Sequence, residues 1–304
     1  MCSKKKPTVN QHIVPQAYLR RFATLTENKN YQIGVGIRKK DGRNFFATTQ
    51  SVKNVGFVKN VYEFDCRKDT PNYWENYFAE VIEPFCGTEL SNIISNIESS
   101  QNAAVVLSHE DKCNLSVFIC HQIFRSPQAL EKSIQIGQKS IERGKKEAQS
   151  MLKSSFPPFL HSLLLNALDN ADFSKDEIKD IFMQSMSDVN RQEERTNALL
   201  DKIWIVYQNT TQLQFITSDN PVCRKNCVTK SFSFEDNTLK DPNSLILFPL
   251  SPTILIEITP SHLLGSRPQK YDGRKFLLGQ NDLSFIAGAD TLQILQCHRQ
   301  VFMS

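Results

Sequence analysis

The spacing of apolar positions changes twice along the chain. Near the start, Pro15 precedes Tyr18, Leu19 and Phe22 at helical spacing, which predicts a short opening helix with His12 just ahead of it. Two β-prone runs follow, Tyr31 to Ile37 and Asn44 to Thr49, separated by Lys39-Lys40-Asp41-Gly42, a good hairpin turn. Val55 to Phe64 reads as another short strand or extended piece. From Asn72 to about Arg195 the period becomes three and four, as in Trp74, Phe78, Ile82 and then Leu115, Phe118, Ile119, Gln122. Breaks near Ser99 to Ala103, at Ser126-Pro127, at Phe156-Pro157-Pro158 and at Asp172-Phe173-Ser174 divide this middle into roughly five helices, with Ser174 and Glu177 forming a capping box. After Asp201 β character returns in Ile203 to Tyr207, Gln214 to Thr217, Leu245 to Phe248 and Thr253 to Ile258, and Leu277 to Gln296 reads as a closing helix.

Strands at both ends around a helical middle predict an α+β fold: N- and C-terminal strands pair into a mixed sheet, with a large helical segment packed beside it. With no repeat, low-complexity tract or linker, a single domain over residues 1–304 is expected: an N-terminal helix and strands (1–70), the helical segment (71–200), and C-terminal strands with a closing helix (201–304).

Composition narrows the class rather than the function. The hydrophobic fraction of 40% and charged fraction of 22% are those of an ordinary globular chain, and the net charge of +4 permits a local basic face without demanding one. The Lys4-Lys5-Lys6 start has no apolar stretch after it and no apolar run is long enough to span a bilayer, so a cytoplasmic protein with no membrane partner is expected. Eight cysteines without an export signal read as small buried apolar residues; Cys223-x-x-x-Cys227 lacks a second Cys/His pair, so no metal and no cofactor are expected. Glu80 and Glu83 form a same-face pair that could bind Mg²⁺, but no second acidic cluster of nuclease type accompanies them. Gly-rich phosphate loops, His-Glu-x-x-His and Gly-x-Ser-x-Gly are absent, which argues against ATPase, zinc protease and α/β-hydrolase activities.

Four local signatures stand out: His12-x-x-Pro15-x-x-Tyr18-Leu19-x-x-Phe22, Arg125-Ser126-Pro127, Phe215-Ile216-Thr217-Ser218-Asp219-Asn220-Pro221-Val222, and Phe248-Pro249-Leu250-Ser251-Pro252. In order and spacing they resemble the bacterial domain-of-unknown-function family numbered 4238. That resemblance carries little chemistry; it implies an accessory bacterial gene of the kind found among phage-defence functions.

The residues themselves supply the chemical expectations. Asp219 and Asn220 sit on a constrained turn at a strand end, where a carboxylate can activate water and an amide can hold substrate; the same string also reads as a self-capping turn. His12 reads as a general acid or phosphate contact, or as a tie between the first helix and the sheet. Arg125 reads as an anion clamp, or as a cation at a helix C-terminus. Catalytic Asp219, Asn220 and His12, with Ser218, Tyr18, Arg20, Arg21 and Arg125 as substrate contacts, make a metal-independent hydrolase acting on nucleic acid, DNA foremost. A glycosylase cleaving base–sugar bonds is favoured, taking a flipped nucleotide into a pocket lined by Phe22, Tyr18 or Trp204. The alternatives are a metal-dependent nuclease and a non-catalytic sensor or interaction module with Asp219-Asn220-Pro221 as a structural corner. Oligomeric state is not written in the sequence.

Overall fold

A computed structural model describes residues 8–155, 157–170, 172–232 and 238–304; the basic start with Cys2, and Phe156 of the anticipated helix break, lie outside them. The chain opens with β1 (Asn10–His12) and α1 (Gln16–Leu19), which tightens into a 3-10 turn over Arg20–Phe22. Pro15 fixes the extended backbone at the entry, and Tyr18, Leu19 and Phe22 all turn inward. After β2 (Thr24–Leu25) come β3 (Tyr31–Arg38) and β4 (Phe45–Ser51), the anticipated hairpin, with Ile37 opposite Phe46. Then β5 (Phe57–Lys59) returns to pair with β1, Gln11 opposite Val58.

The helical middle has more breaks than the periodicity suggests. Its first stretch is α2 (Tyr73–Tyr77), a π-helical turn over Phe78–Ile82, α3 (Glu83–Gly87) and α4 (Glu89–Ser99). Pro84 has no N–H to continue the α ladder, and the spacing widens just before it. There follow α5 (His109–Phe124), α6 (Pro127–Ser155), α7 (Pro158–Asp169), α8 (Lys175–Ser187) and α9 (Val189–Leu200). The Ser174–Glu177 capping box opens α8 as expected, whereas the break at Asp188, whose carboxylate accepts from Arg191 N–H at 2.9 Å, went unread. Within this layer α5 packs on α9, and α6 on α7 and α8.

The C-terminal part supplies β6 (Ile203–Asn209), β7 (Thr217–Ser218), β8 (Cys223–Asn226), β9 (Ser244–Ser251), β10 (Ile254–Thr259), β11 (Arg274–Leu278), α10 (Leu283–Gln296) and β12 (Gln300–Met303). The expected closing helix from Leu277 is therefore corrected. Leu277 and Leu278 belong to β11, paired in parallel with β6, and Gly279 N–H bonds to the Asp282 carboxylate before the helix starts. A strand, not a helix, ends the described chain. The strand anticipated from Gln214 shortens to Thr217–Ser218.

N- and C-terminal strands do pair. One sheet runs β2-β3-β12-β7 with β4 on the other edge of part of β3, so β12 lies between β3 and β7. A second sheet, β11-β6-β10-β9-β8, is built of C-terminal strands alone and is mixed, since only β11·β6 is parallel. The approach of β12 to β3 requires Gly34 and Gly36: a Cβ at Gly36 would lie 2.7 Å from Val301 Cγ2, and one at Gly34 2.8 Å from Met303 Cγ.

Tyr18 joins the parts. Its ring stacks on Phe248 at 5.6 Å and packs against Phe118, while its hydroxyl donates to Pro249 C=O at 2.6 Å and meets Thr217 Oγ1 at 2.8 Å. Lys275 is buried with its ammonium on Ile97 C=O, Ser100 C=O and Gln208 Oε1, capping the C-terminal end of α4 from β11.

Buried His121 on α5 bonds through Nδ1 to Val117 C=O at 2.8 Å and through Nε2 to the Tyr77 hydroxyl at 3.0 Å. Burial lowers its pKa to about 4, against the ordinary 6.5 it regains on unfolding. Between those values the unfolded chain binds the extra proton, so stability is full above pH 6.5 and is lost as pH falls towards 4, by on the order of 3 kcal/mol. Urea unfolding across that interval should show this slope in the wild type and lose it in His121→Gln; equal slopes in the two proteins would contradict the assignment.

Candidate functional site

The Thr217-to-Pro221 string is built into the structure on every side. Asp219 is buried, and its carboxylate accepts three backbone N–H groups, from His298 at 2.8 Å, Arg299 at 2.7 Å and Gln300 at 2.8 Å. Its own N–H bonds back to Gln300 C=O at 3.0 Å. Burial pushes the carboxyl pKa up, while the three N–H groups favour the charged form. Asn220 donates its amide to Gln296 C=O, and the Ser218 hydroxyl meets Gln293 Oε1 at 2.7 Å and Asn220 C=O at 3.0 Å. A general base needs a lone pair aimed at the proton it takes. Asp219 and Asn220, with Ser218 beside them, fasten β7 to the end of α10 and the entry to β12, the structural corner that stood as the alternative to a catalytic role.

Most of the other expected contacts are also structural. Tyr18, Phe22 and Trp204 are fully buried in the core, so none lines an open pocket. Arg21 sends Nη2 to Cys86 C=O at 2.7 Å and Ser91 Oγ at 2.9 Å, tying the opening turn to α3 and α4. Arg125 is buried, lies 4.2 Å over the Phe78 ring and donates to His12 C=O, while Glu75 accepts from His12 N–H, so the two charges grip opposite ends of one residue's backbone. The His12 ring meets Gln16 Nε2 at 3.1 Å, hydrogen-bonds the Lys53 backbone and packs edge-on against Phe57. Burial, then Arg125, lowers its pKa, so it is neutral near pH 7 and is no cationic phosphate contact. No hydrogen bond among the described residues joins His12 to Asp219.

What these ties position is a basic surface. Gln16, held by His12, lines a hollow of about 220 Å³ together with Arg20, Lys29, Asn30, Tyr31, Ser51, Val52 and Lys53. No acid is among the lining residues, and Arg20, Lys29 and Lys53 make no ion pair among the described residues. Arg20 lies over the Tyr31 ring at 5.4 Å. Lys29 sits at φ +56°, in the left-handed position that closes the Thr26–Asn30 turn and that glycine or asparagine usually takes; a lysine there costs about 1 kcal/mol.

The same segment runs on into a second hollow of about 350 Å³, lined by Ile13, Asn54, Phe57, Val58, Lys59, Asp219, His298, Arg299 and Gln300. Gly56 N–H donates to Gln300 Oε1 at 3.0 Å, pinning this wall to β12. Asp219 thereby sets the backbone from which His298 and Arg299 project. Larger hollows open elsewhere, among them an apolar groove of about 480 Å³ along Val81, Phe85 and Phe118, but those have acids in their walls.

A family model described as "Protein of unknown function (DUF4238)" matches residues 10–304. The chain belongs to that family. No curated protein and no solved structure matches it. In this DUF4238 chain the motifs that carry the likeness are thus mainly the scaffold of the basic surface. Lys29, Lys53, Phe57, Lys59, His298 and Arg299 went unread, because isolated residues scattered over turns and a three-residue strand carry no spacing signal; Arg20 alone of the expected contacts faces an open hollow. Among the described residues no group of three or more His, Cys, Asp or Glu could hold a metal ion, and no helix is long and apolar enough to cross a membrane.

Asp219→Ala would take the shared acceptor from three backbone N–H groups, and a loss of roughly 3 kcal/mol is expected in chemical denaturation. A variant as stable as the wild type would show that the clamp does not hold the fold.

Proposed function

We propose that this DUF4238 protein is a non-catalytic nucleic-acid-binding module that takes the strand along the Ser51-to-Lys59 segment. One observation carries the reading: two adjoining hollows share this segment and gather Arg20, Lys29, Lys53, Lys59 and Arg299, while the one acid in their walls, Asp219, is already met by three N–H groups. Phosphate contacts of this kind set affinity and register without reading sequence. Phe57, half-buried in the wall of the larger hollow beside Asn54, offers a face on which an unpaired base can stack.

Hydrolysis of a base–sugar bond is the second reading, favoured by the place of Asp219 in the wall of the larger hollow and by the upward push of burial on its carboxyl. The three N–H groups on that carboxylate weigh against it.

Two measurements separate these readings. In the first, single-stranded DNA, duplex DNA and RNA are titrated with protein over a salt series. Single strands should bind with log K falling by about 3 to 4 per decade of salt, as five cations require, and Lys59→Ala with Arg299→Ala should make the slope shallower by about 1 to 2. Salt-independent or absent binding would sink the nucleic-acid reading. In the second, the same strands are incubated with EDTA or Mg²⁺ and resolved before and after hot alkali. Intact strands fit a binding module; breaks only after alkali would make it a glycosylase, and Mg²⁺-dependent breaks a nuclease.

A further inference from the structure

Resting on the nucleic-acid reading, we infer that the smaller hollow receives the terminal phosphate of a strand, so that the preferred partner is a single strand with a phosphorylated end. A phosphodiester within a strand carries one negative charge, whereas a terminal phosphomonoester carries about 1.5 to 2 at neutral pH and has three acceptor oxygens. The hollow matches the second. It brings Arg20, Lys29 and Lys53 around about 220 Å³ with no carboxylate in its wall, and none of the three cations is in an ion pair among the described residues.

Neutral donors complete the set. The Ser51 hydroxyl accepts from Lys53 N–H at 3.4 Å, which leaves its own proton for another acceptor, and Gln16 is oriented by the His12 ring. At about 220 Å³ the space is below the roughly 300 Å³ at which small-molecule sites begin, and fits a phosphoryl group and the edge of its sugar better than a whole nucleotide. The rest of the strand has somewhere to go, because Val52 and Lys53 of this wall lead directly into Asn54, Phe57 and Lys59 of the next. That continuity favours a strand end over a phosphorylated peptide or a free nucleotide.

Lys29 adds an independent mark. A lysine in the left-handed backbone position of a tight turn is a local cost that glycine would remove, and here its side chain is part of the cationic wall.

The test uses full-length protein and one short oligonucleotide with an internal fluorophore, prepared with a 5′-phosphate, with a 3′-phosphate, or with hydroxyls at both ends. One phosphorylated form should bind about tenfold more tightly than the hydroxyl form, as charge-assisted hydrogen bonds to one extra charge imply. Lys53→Ala, an exposed position that does not endanger the fold, should bring that ratio close to one by weakening the phosphorylated form more than the hydroxyl form, whereas Lys59→Ala in the neighbouring hollow should weaken both forms alike and keep the ratio. Lys29→Gly should lose the preference as well, and melt at a higher temperature than the wild type. Equal affinity for all three strands, or a preference that survives Lys53→Ala and Lys29→Gly together, overturns the end-recognition inference and leaves nucleic-acid binding intact. Failure of every strand to bind removes both.

Discussion

Three backbone N–H groups converge on the Asp219 carboxylate, and the joining of the two ends of the fold depends on that convergence. Residues 298–300 carry the chain out of α10 and into β12, where the backbone changes direction and turns its N–H groups inward onto the buried Asp219. A buried N–H without a partner costs more than a typical hydrogen bond returns, so an acceptor at this corner is close to obligatory. A carboxylate serves all three at once. Ser218 and Asn220 extend the same logic to Gln293, Gln296 and Pro221, so the turn, the helix end and the strand entry form one unit. Once that unit is set, β12 has its direction, β3 has a partner, and Gln300 is placed to hold Gly56.

This arrangement explains what could and could not be read from the residues in order. Periods of two and of three to four located the β3/β4 hairpin, the helical middle and the strands β6, β9 and β10, since each is long enough to show a repeat. Four-residue strands such as β8 and β12 have no period to show, and β12 becomes a strand only because Gly34 and Gly36 lie across from it, more than 260 positions earlier in the chain. The Thr217-to-Pro221 turn was visible as a constrained polar corner, and both of its meanings were legible; choosing between them required knowing that His298, Arg299 and Gln300 lie against it. Arg125 shows the same limit. A cation after a helix can reach solvent or reach inward, and only the position of His12 and Phe78 decides.

Several charged side chains are spent on architecture in this molecule: Lys275 on the end of α4, Arg21 on Cys86 and Ser91, Arg125 and Glu75 on His12, Asp180 on Arg67, Trp74 and Gln184. Among the described residues the cations of the two hollows make no ion pair, and Arg20 only lies over the Tyr31 ring. The gathering of Arg20, Lys29 and Lys53 around one hollow with no acid in its wall gives the cluster its meaning, more than the modest net charge of the chain.

The placement of β12 also sets an order of events during synthesis. The inner edge of β3 leaves the ribosome long before its partner exists, and at 5 to 20 residues per second the gap amounts to roughly 13 to 50 seconds. For that time the nascent chain displays an open strand edge, the kind of surface on which unrelated chains assemble. Gly34 and Gly36 lie on it, and glycine is among the poorest residues for extending a sheet or seeding a fibril. The two residues that make room for the late strand therefore also leave the waiting edge a weak template for any other.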